Sequence, residues 1–459
     1  MNILLNYHRR TTSTTHISGA NIGSKFPIRV QTMANTSTND IDASVAQALR
    51  CANAGAELFR FTTQGSREVE SLKIIHDQLR QKGCKIPLVA DIHFRSDVAD
   101  LAAEVCEKVR INPGNYVPDK EISTVNSQLS TKFRHLIYIC KQHNTAIRIG
   151  VNHGSLAPRM MEKYGDTPQG MVESCMEFLR IAHEEDFEDI VLSVKASNTR
   201  IMVDTVRLLV ATMDKEDMHY PIHLGVTEAG EGEDGRIKSA VGIGALLADG
   251  IGDTIRVSLS EEPEAEIPVA QELIDYFVNS KSPRYADDII VSYDEDKESI
   301  FYFNTEKNWS RFQLQVAAEC GRLLWEYNCD KLELLNPSFS IPQLEKLSKD
   351  VLQAARVKMY KTEFTSCPGC GRTMFDLQKT VADIKAAFAK ESNSFSGLKI
   401  AIMGCIVNGP GEMADADFGY VGAGKDRVSL YKGKECVLKN IPQEQAVAEL
   451  LKLIVSTHS

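Results

Sequence analysis

The sequence predicts an α/β protein: a (β/α)8 TIM-type barrel in the first 280 residues, then a small α/β insert and a C-terminal α+β domain. Three observations support this fold class. Short β-rich runs alternate with amphipathic helical runs from residue 26, eight such pairs fit into about 250 residues, and polar residues collect where the β-rich runs end. An open, doubly wound sheet gives the same alternation, so the count of eight is what favours a closed barrel.

The eight predicted strands are separated by helical runs whose apolar residues recur on one face. Strands are predicted at residues 26–34, 57–63, 86–94, 108–114, 146–152, 189–196, 221–228 and 253–260. Helices are predicted between them, for example at residues 42–54, 67–81, 98–107, 171–183 and 202–213. This spacing suits helices that cover the outer face of a sheet.

Composition narrows the class of protein. The 459 residues are 43% hydrophobic and 25% charged, as in a soluble globular protein. The net charge of −10 gives no general reason to bind nucleic acid or an anionic membrane. The sequence shows neither a signal peptide nor a run long enough to span a bilayer, so we expect a cytoplasmic protein.

Most of the eleven cysteines are expected to be reduced thiols, because the chain shows no secretory signal. Five of them lie in apolar, helix-like segments, where a small buried side chain is the ordinary interpretation. They are Cys51, Cys106, Cys140, Cys175 and Cys320.

Polar residues appear late in the predicted strands, although a strand buried on both faces should be almost continuously apolar. These residues are Arg60, Asp91, His93, Arg110, Asn112, Arg148, Asn152, Lys195, His223, Glu228, Arg256 and Ser258. In a barrel, all of these strand ends meet at one mouth. Any one of them alone is more simply a solvated or paired loop residue.

Together, these strand ends predict a ligand. Four arginines and one lysine at one mouth would repel one another unless carboxylates or a bound anion lay among them, and the arginine fork matches phosphate oxygens. We therefore expect a phosphate or diphosphate ligand. Asp91, His93 and Glu228 are then candidates for proton transfer or for orienting hydroxyl groups.

The glycine-rich run TEAGEGEDGR at residues 227–236 follows the seventh predicted strand, where barrels often build phosphate sites. It lacks the Gly-Lys-Ser/Thr ending of a nucleotide-binding loop, so nucleotide binding is not expected. A flexible lid is the alternative interpretation.

Cysteines near the C-terminus have the spacing of metal ligands. Cys367 and Cys370 lie two residues apart in CPGC, and Cys405 follows a strand-like run in MGCIVNGPGE. Glu412 as a fourth ligand would leave one iron of an iron–sulfur cluster open to substrate. Cys436 as a fourth ligand would instead complete a structural zinc site.

Eight motifs of the chain resemble 4-hydroxy-3-methylbut-2-enyl diphosphate synthase. They are VADIHF, RINPGN, RIGVNHGS, SVKAS, HLGVTEAGEGEDGR, GDTIRVSLS, SCPGCGRT and MGCIVNGPGE. The resemblance covers most of residues 16–278 and 362–432 in the expected order. HLGVTEAGEGEDGR and SCPGCGRT are most similar to the long, plant-type branch.

The resemblance implies a reaction, a cofactor and partners. The reaction is the reductive ring opening and dehydration of 2-C-methyl-D-erythritol 2,4-cyclodiphosphate in the non-mevalonate isoprenoid pathway. The cofactor is a [4Fe–4S] cluster in an iron–sulfur domain at residues 362–459, and reduced ferredoxin or flavodoxin is the electron donor. A homodimer is expected, with no nucleic-acid or membrane partner.

The resemblance also implies roles for individual residues. Arg110, Arg148, Lys195, Arg256 and Ser258 correspond to diphosphate contacts. Residues near the carbon skeleton correspond to Asp91, His93, Asn112, Asn152 and Glu228. Cluster ligands correspond to Cys367, Cys370, Cys405 and Glu412. Arg60 and His223 join the substrate-binding set because they also lie at predicted strand ends.

Residues 281–361 separate the two regions that carry these motifs and resemble a shortened form of the insert in the long branch. We interpret this segment as a spacer that packs on the barrel. The alternatives for the whole chain are a zinc-ribbon barrel hydrolase or aldolase acting on a phosphorylated sugar, and a non-catalytic electron carrier. The sequence does not decide whether the active site closes within one chain or between subunits.

Overall fold

Eight parallel strands form the largest unit of the chain in a computed structural model. The structure describes residues 7–117, 125–279, 289–294, 297–391, 395–406, 411, 413 and 415–458. The barrel strands are β1 (Arg29–Met33), β2 (Leu58–Thr63), β3 (Leu88–Ile92), β4 (Lys108–Ile111), β5 (Ala146–Asn152), β6 (Ile190–Lys195), β7 (His223–Leu224) and β8 (Thr254–Ile255). Each lies within a strand predicted from the sequence.

The strand order shows that the sheet closes on itself. Strands β1 to β6 pair in sequence order, and β8 pairs with both β1 and β7. A parallel bridge between Leu192 and Ile222 joins β6 to the residue before β7. The predicted (β/α)8 barrel is therefore confirmed, and the open sheet is excluded.

Helices surround this barrel on the outside. They are α1 (Ile41–Asn53), α2 (Ser66–Gln81), α3 (Ser96–Ala103), α4 (Val125–His143), α5 (Pro158–Tyr164), α6 (Pro168–Glu184), α7 (Thr199–Lys215), α8 (Gly232–Ala248) and α9 (Glu266–Ile274). The glycine-rich run after β7 thus leads directly into α8, whose first turn carries Glu233 and Asp234. Acidic residues there are favourable at the positive end of a helix.

A hairpin in the N-terminal segment covers the end of the barrel where the strands begin. Its two arms are joined by an antiparallel bridge between Thr15 and Ile22. Ile17, Ala20 and Ile22 form an apolar cluster with residues near the starts of four barrel strands. Those strand residues are Leu58, Val89, Ala146 and Val191. The barrel is closed at this end by apolar packing.

A second, smaller sheet follows the barrel. It contains β9 (Ile289–Asp294), β10 (Lys297–Phe303) and β11 (Lys331–Leu335), together with α10 (Trp309–Glu326) and α11 (Ile341–Ala354). Strand β10 pairs antiparallel with β9 and parallel with β11.

Helix α10 packs closely on α8 of the barrel. A Cβ atom added at Gly244 would lie 2.5 Å from the Cβ of Ala318, so this contact requires a glycine. The described part of the predicted insert is therefore folded and lies on the barrel.

The C-terminal segment forms a third sheet. Its elements are β12 (Glu363–Ser366), α12 (Leu377–Phe388), β13 (Lys399–Met403), β14 (Phe418–Gly424), β15 (Arg427–Lys432), β16 (Glu435–Pro442) and α13 (Gln443–His458). Strands β12, β13 and β14 are parallel, whereas β15 and β16 pair antiparallel. The cysteines Cys367 and Cys405 follow the carboxyl ends of β12 and β13.

Two further predictions concern burial and membranes. All five cysteines interpreted as core residues are at most 3% exposed, which confirms that interpretation. Among the described residues, no helix combines the length and the apolar character needed to cross a bilayer.

Candidate active site

A cavity lies between the mouth of the barrel and the C-terminal segment. Nine predicted site residues of the barrel line it, namely Arg60, Asp91, His93, Arg110, Arg148, Asn152, Lys195, Arg256 and Ser258. Cys367, Cys370 and Cys405 line the same cavity from the other side. The structure thus brings most of the predicted residues together.

Arg110 holds several polar groups in place at one wall of the cavity. Its Nη1 donates to Asp91 Oδ1 at 3.1 Å and contacts His93 Nε2 at 2.8 Å. Its Nη2 donates to the carbonyl of Gly150 at 2.9 Å and to Asn152 Oδ1 at 3.3 Å. A Cβ at position 150 would lie 2.6 Å from Arg110 Nε, so a glycine at this position gives the guanidinium its space.

Asp91 and His93 have different charges in this setting. Burial opposes ionisation of Asp91, but Arg60 and Arg110 outweigh it and hold its pKa well below the usual range. Burial and then Arg372 lower the pKa of His93 to about 3. Near neutral pH we therefore expect an Asp91 carboxylate beside a neutral His93 imidazole.

Arg256 is the cation with the most complete set of partners. Its Nε and Nη2 donate to the two carboxylate oxygens of Glu266 at 3.0 and 2.8 Å, and both side chains are 3% exposed. Glu266 also accepts from the Thr32 hydroxyl at 2.8 Å. This network fixes Arg256 at the rim of the cavity.

Among the described residues, Arg60, Arg148 and Lys195 are buried cations with no carboxylate hydrogen-bonded to them. Arg60 donates to the sulfur of Met33, and burial lowers its pKa to about 10 although Asp91 opposes this. Nε and Nη1 of Arg148 are buried and have no hydrogen-bond partner among the described residues. Burial and neighbouring arginines lower the pKa of Arg148 and of Lys195 well below their ordinary values.

This excess of positive charge is the main electrostatic property of the cavity. Buried cations without partners cost free energy, and they persist in native proteins where a ligand or ion satisfies them. Arginine forks and a lysine together match the oxygens of a phosphate or diphosphate. The geometry therefore supports binding of a polyanion.

A further polar layer lies deeper in the barrel. Lys108 is fully buried, and its Nζ donates to Gln31 Oε1 at 3.1 Å. His223, which we predicted at the mouth, lies in this layer, with its Nδ1 3.4 Å from the hydroxyl of Thr254. Burial and the nearby cations Arg148 and Lys195 hold the pKa of His223 well below its ordinary value, so its ring is neutral.

Three other predicted residues have different positions. Asn112 lies beside the cavity, where it donates to Ser155 Oγ at 3.2 Å and accepts from the backbone of Gly114. Glu228 is completely buried next to Thr227, which lines the cavity, and its φ of +53° is unusual for a residue with a side chain. Glu412 lies outside the described residues.

The three cysteines were tested for their fit to an iron–sulfur cluster. Thiolates are the ligands that such clusters use. The backbone N–H of Gly404 donates to Cys367 Sγ at 3.2 Å, and the guanidinium of Arg372 lies beside Cys370. Burial raises the pKa of the Cys367 thiol to about 12, and the Gly404 N–H opposes this shift. The three thiols have the donor chemistry of cluster ligands, and the nearby N–H groups favour negative charge on sulfur. Among the described residues, no group of three or more cysteine, histidine, aspartate or glutamate side chains is arranged so that it could already hold a metal ion.

Cys436, the alternative fourth ligand, does not lie with these three cysteines, so the zinc-site alternative is not favoured. It is exposed and pairs with Tyr431 near the start of β16. Strand β16 lies three strands away from β13, the strand that precedes Cys405. The sequence suggested Cys436 as a fourth ligand because it does not show that the β15–β16 hairpin places this residue far from the other three cysteines.

The cavity is closed by residues of the same chain. Ser260 Oγ lies 2.6 Å from Ser366 Oγ and donates to the carbonyl of Cys367 at 2.9 Å. The backbones of Gly154 and Gly411 approach so closely that a Cβ at Gly154 would lie 1.9 Å from the Gly411 carbonyl oxygen. Barrel and C-terminal segment are therefore in direct contact within one chain.

A buried ion-pair cluster connects all three parts of the molecule. Glu363 of β12 accepts from Lys238 of α8 at 2.9 Å and from Arg356, just after α11, at 2.8 Å. These two cations lower the pKa of Glu363 to about 2, although burial opposes this. Burial lowers the pKa of Lys238 in spite of Glu363. The two pKa shifts are consistent, because Glu363 gains from two cations, whereas Lys238 shares this one carboxylate with Arg356 and is also repelled by it.

Substitution of Glu363 by glutamine is expected to destabilise the closed arrangement by about 3 kcal/mol at pH 7, because two buried cations lose their carboxylate. The stabilisation is present above the ordinary pKa of 4.5 and is lost as the pH falls through the folded-state value of about 2. Urea unfolding of wild type and variant should therefore differ most near pH 7 and converge in acid.

Glu216→Gln is the matched control, because Glu216 forms a two-bond pair with Arg180 that is partly exposed. Exposed pairs contribute about 1 kcal/mol or less. Equal losses in the two variants would contradict the importance of the Glu363 cluster.

Sequence reasoning missed two residues of the site. Glu266 holds Arg256 in place from behind the cavity wall; it lies in α9, beyond the last barrel strand, and has no signal in the sequence. Arg372 lines the cavity, and its Nη2 lies 3.5 Å from Asp91 Oδ2. Its position two residues after Cys370 was the available signal.

Comparisons with known proteins agree with this geometry. The family model described as the GcpE TIM-barrel domain matches residues 12–271, and that of the GcpE protein C-terminal domain matches residues 363–456. A 4-hydroxy-3-methylbut-2-en-1-yl diphosphate synthase (flavodoxin) from Parabacteroides distasonis is 43% identical, over 98% of both chains. The chain belongs to the GcpE family of 4-hydroxy-3-methylbut-2-en-1-yl diphosphate synthases.

Other members of the GcpE family extend the comparison. The protein of the same name from Porphyromonas gingivalis is 43% identical, and that from Leptospira interrogans is 33% identical, over 98% of this chain and 98% and 96% of theirs. The alignment with the Parabacteroides protein spans 603 positions, more than the 459 residues of this chain. This GcpE-family chain is therefore shorter than that relative.

Solved structures add nothing to this assignment. A dihydropteroate synthase from Stenotrophomonas maltophilia matches with a TM-score of 0.40 and 12% identity, over 56% of this chain and 94% of that one. A likeness this distant supports no argument.

Proposed function

We propose that this chain is an iron–sulfur oxidoreductase that opens the ring of 2-C-methyl-D-erythritol 2,4-cyclodiphosphate and yields (E)-4-hydroxy-3-methylbut-2-enyl diphosphate. The observation that carries the proposal is the shared cavity, where the cations of the barrel mouth face three cysteines. Membership of the GcpE family supports the same reaction. The zinc-ribbon alternative is not favoured, because Cys436 lies away from the cavity.

The reaction requires two electrons and one proton. The bond between a ring carbon and a diphosphate oxygen breaks, the oxygen keeps the electron pair, and a hydroxyl group leaves as water after taking the proton. When bound, a [4Fe–4S] cluster supplies the electrons one at a time. Cys367, Cys370 and Cys405 would hold it, with Glu412 as the fourth ligand. Reduced flavodoxin, which the relatives' names specify, is the proposed donor.

Residues of the barrel bind and orient the substrate in this proposal. Arg110, Arg148, Lys195 and Arg256 hold the diphosphate, and their positive charge stabilises the oxygen that becomes anionic as the ring opens. Arg60 and Ser258 complete this wall, and Asn152 lies beside Arg110.

Proton handling falls to fewer residues. Because Asp91 is ionised, it orients cations rather than donating a proton. Neutral His93 accepts from Arg110 at Nε2, and its Nδ1 lies 3.3 Å from Asn115, so we assign it the role of orienting groups around the substrate. Glu228 and Glu412 stay candidates for the proton that leaves with water. Asn112 and His223 support the site through the loop after β4 and the deeper layer.

Purification without oxygen tests the function. We expect a brown protein with about four irons and four sulfides per chain, which converts the cyclic diphosphate to the linear product when reduced flavodoxin is added. A colourless protein loaded with zinc would overturn the proposal. A reducible cluster in a protein that does not bind the cyclic diphosphate would indicate an electron carrier instead.

We further propose that the active site closes within one chain and that residues 281–361 act as a spacer. The contacts of Ser260 with Ser366 and Cys367 support this arrangement. Mixing Arg110→Ala chains with Cys405→Ala chains, under conditions where subunits exchange, should then restore no activity. Recovery toward about a quarter of the wild-type rate would show that two chains share each site.

Location and assembly complete the proposal. A cytoplasmic enzyme fits the free cysteines found throughout the described residues, because a reducing compartment keeps them as thiols. A homodimer stays a prediction from the resemblance, as does the absence of nucleic-acid and membrane partners.

A further inference from the structure

Arg372 reaches into the barrel from the segment that carries the cysteines. It follows Cys370 by two residues, in a loop that lies against the barrel rim. A Cβ at Gly371 would be 2.7 Å from the carbonyl oxygen of Thr36, so this part of the loop touches the loop after β1. The side chain of Arg372 is only 7% exposed, and it lines the cavity together with barrel residues.

The known partners of Arg372 use only part of its guanidinium. Nη2 lies 3.5 Å from Asp91 Oδ2, while the other oxygen of Asp91 accepts from Arg110 at 3.1 Å. Nε and Nη1 of Arg372 are buried and have no hydrogen-bond partner among the described residues. Asp91 is therefore shared between two arginines. The guanidinium of Arg372 also lies beside Cys370, and its Nε and Nη1 still have no hydrogen-bond acceptor among the described residues.

A purely structural role explains this arrangement poorly. If Arg372 served only to attach the C-terminal segment to the barrel, its remaining donors should reach protein acceptors, because buried N–H groups without acceptors cost free energy. Arg148 lines the same cavity, and its Nε and Nη1 are likewise buried and have no hydrogen-bond partner among the described residues. Two arginines from different parts of the chain thus line one cavity, each with two buried nitrogens that a ligand could satisfy.

We propose that Arg372 is a substrate-binding residue supplied by the C-terminal segment, which donates hydrogen bonds to an oxygen of the bound diphosphate. This inference rests on the proposed function, because it needs the cyclic diphosphate as ligand. Asp91 positions the guanidinium, and the substrate satisfies the remaining N–H groups. Substrate binding then favours contact between the barrel and the C-terminal segment.

Binding without turnover tests this role. We would measure the dissociation constant of the cyclic diphosphate by calorimetry on full-length, cluster-loaded protein, without oxygen and without an electron donor. Arg372→Ala is expected to weaken binding by at least about tenfold, because charge-assisted hydrogen bonds are lost. Arg372→Lys, which keeps the charge but loses the fork, should recover only part of the affinity. Iron and sulfide contents should match those of wild type.

Two controls separate the possible outcomes. Arg427→Ala removes an exposed arginine of the same segment and should bind like wild type. Arg110→Ala should lose binding if the proposed function is correct, so wild-type affinity in that variant would count against the function itself. If Arg110→Ala loses binding while Arg372→Ala keeps wild-type affinity, only the inference about Arg372 is overturned.

If Arg372→Ala loses the cluster, Arg372→Gln is the variant to measure, because glutamine keeps a hydrogen-bonding side chain without the charge. Reduced affinity in a glutamine variant with full iron content would support the proposal. Unchanged affinity with a lowered kcat would overturn it, because the residue would then act only on the cluster.

Discussion

Arg148→Met is expected to make the ligand-free protein more stable while weakening cyclic-diphosphate binding about a hundredfold or more. Arg148 is buried among Arg60, Arg110 and Lys195, and two of its nitrogens have no hydrogen-bond partner among the described residues. Removing an uncompensated buried charge relieves repulsion and desolvation, so we expect a gain of about 1–3 kcal/mol. Loss of two charge-assisted hydrogen bonds to the substrate accounts for the weaker binding.

Arg256→Met is the matched variant, and its effect on stability should have the opposite sign. It removes the partner of Glu266, which is 3% exposed and accepts two hydrogen bonds from Arg256. A buried carboxylate left without its cation costs about 3–5 kcal/mol. Both variants should bind the substrate poorly. Arg256→Met should also lose stability, whereas Arg148→Met should gain stability.

Urea unfolding of the cluster-loaded proteins, with and without the cyclic diphosphate, measures both effects. Wild type should gain stability from the ligand, and neither variant should gain as much. A less stable Arg148→Met protein in the absence of ligand would contradict the view that this cation is kept for binding.

Cys405→Ser is expected to reduce the iron content from about four atoms per chain to near zero and to bring activity to background. Cys405 follows β13 and lines the cavity with Cys367 and Cys370. Serine keeps the size of the side chain but not the soft thiolate that iron–sulfur clusters require. Iron and sulfide assays, with the visible absorption of the cluster, give the measurement.

Cys436→Ser provides the control from the same sheet. Its sulfur is exposed at the edge strand β16, so iron content and activity should equal those of wild type. A parallel loss of metal in Cys436→Ser would restore the four-cysteine site and count against the proposed cluster.

Periodicity was sufficient to predict the barrel. Each of the eight strands lies inside a predicted run, because strands buried on both faces must be apolar and the helices between them must cover one face. The polar strand ends predicted nine cavity-lining residues for the same reason, since a polar side chain in a buried strand needs a special location. The sequence pattern could not predict which side chains from distant parts of the chain contact each other.

The sequence could not predict how deep a side chain lies in the barrel or which residues it contacts. His223 lies below the cavity rather than at its edge, because it is the first residue of β7 and pairs with Thr254 at the start of β8. Glu266 and Arg372 meet the mouth from outside the eight strands, so no strand pattern marks them. Cys436 shows the opposite case: its spacing suggested a metal ligand, but the β15–β16 hairpin places it away from the other cysteines.

The apolar hairpin at residues 15–22 has a consequence for traffic through the enzyme. Because its apolar side chains close the barrel where the strands begin, the described residues leave the cavity at the opposite rim, where the cysteine-bearing segment rests. We therefore expect substrate, product and the water formed in each turnover to pass at that rim. We also expect the cysteine-bearing segment to separate from the rim during turnover, so that the rate of this separation limits the rate of the reaction.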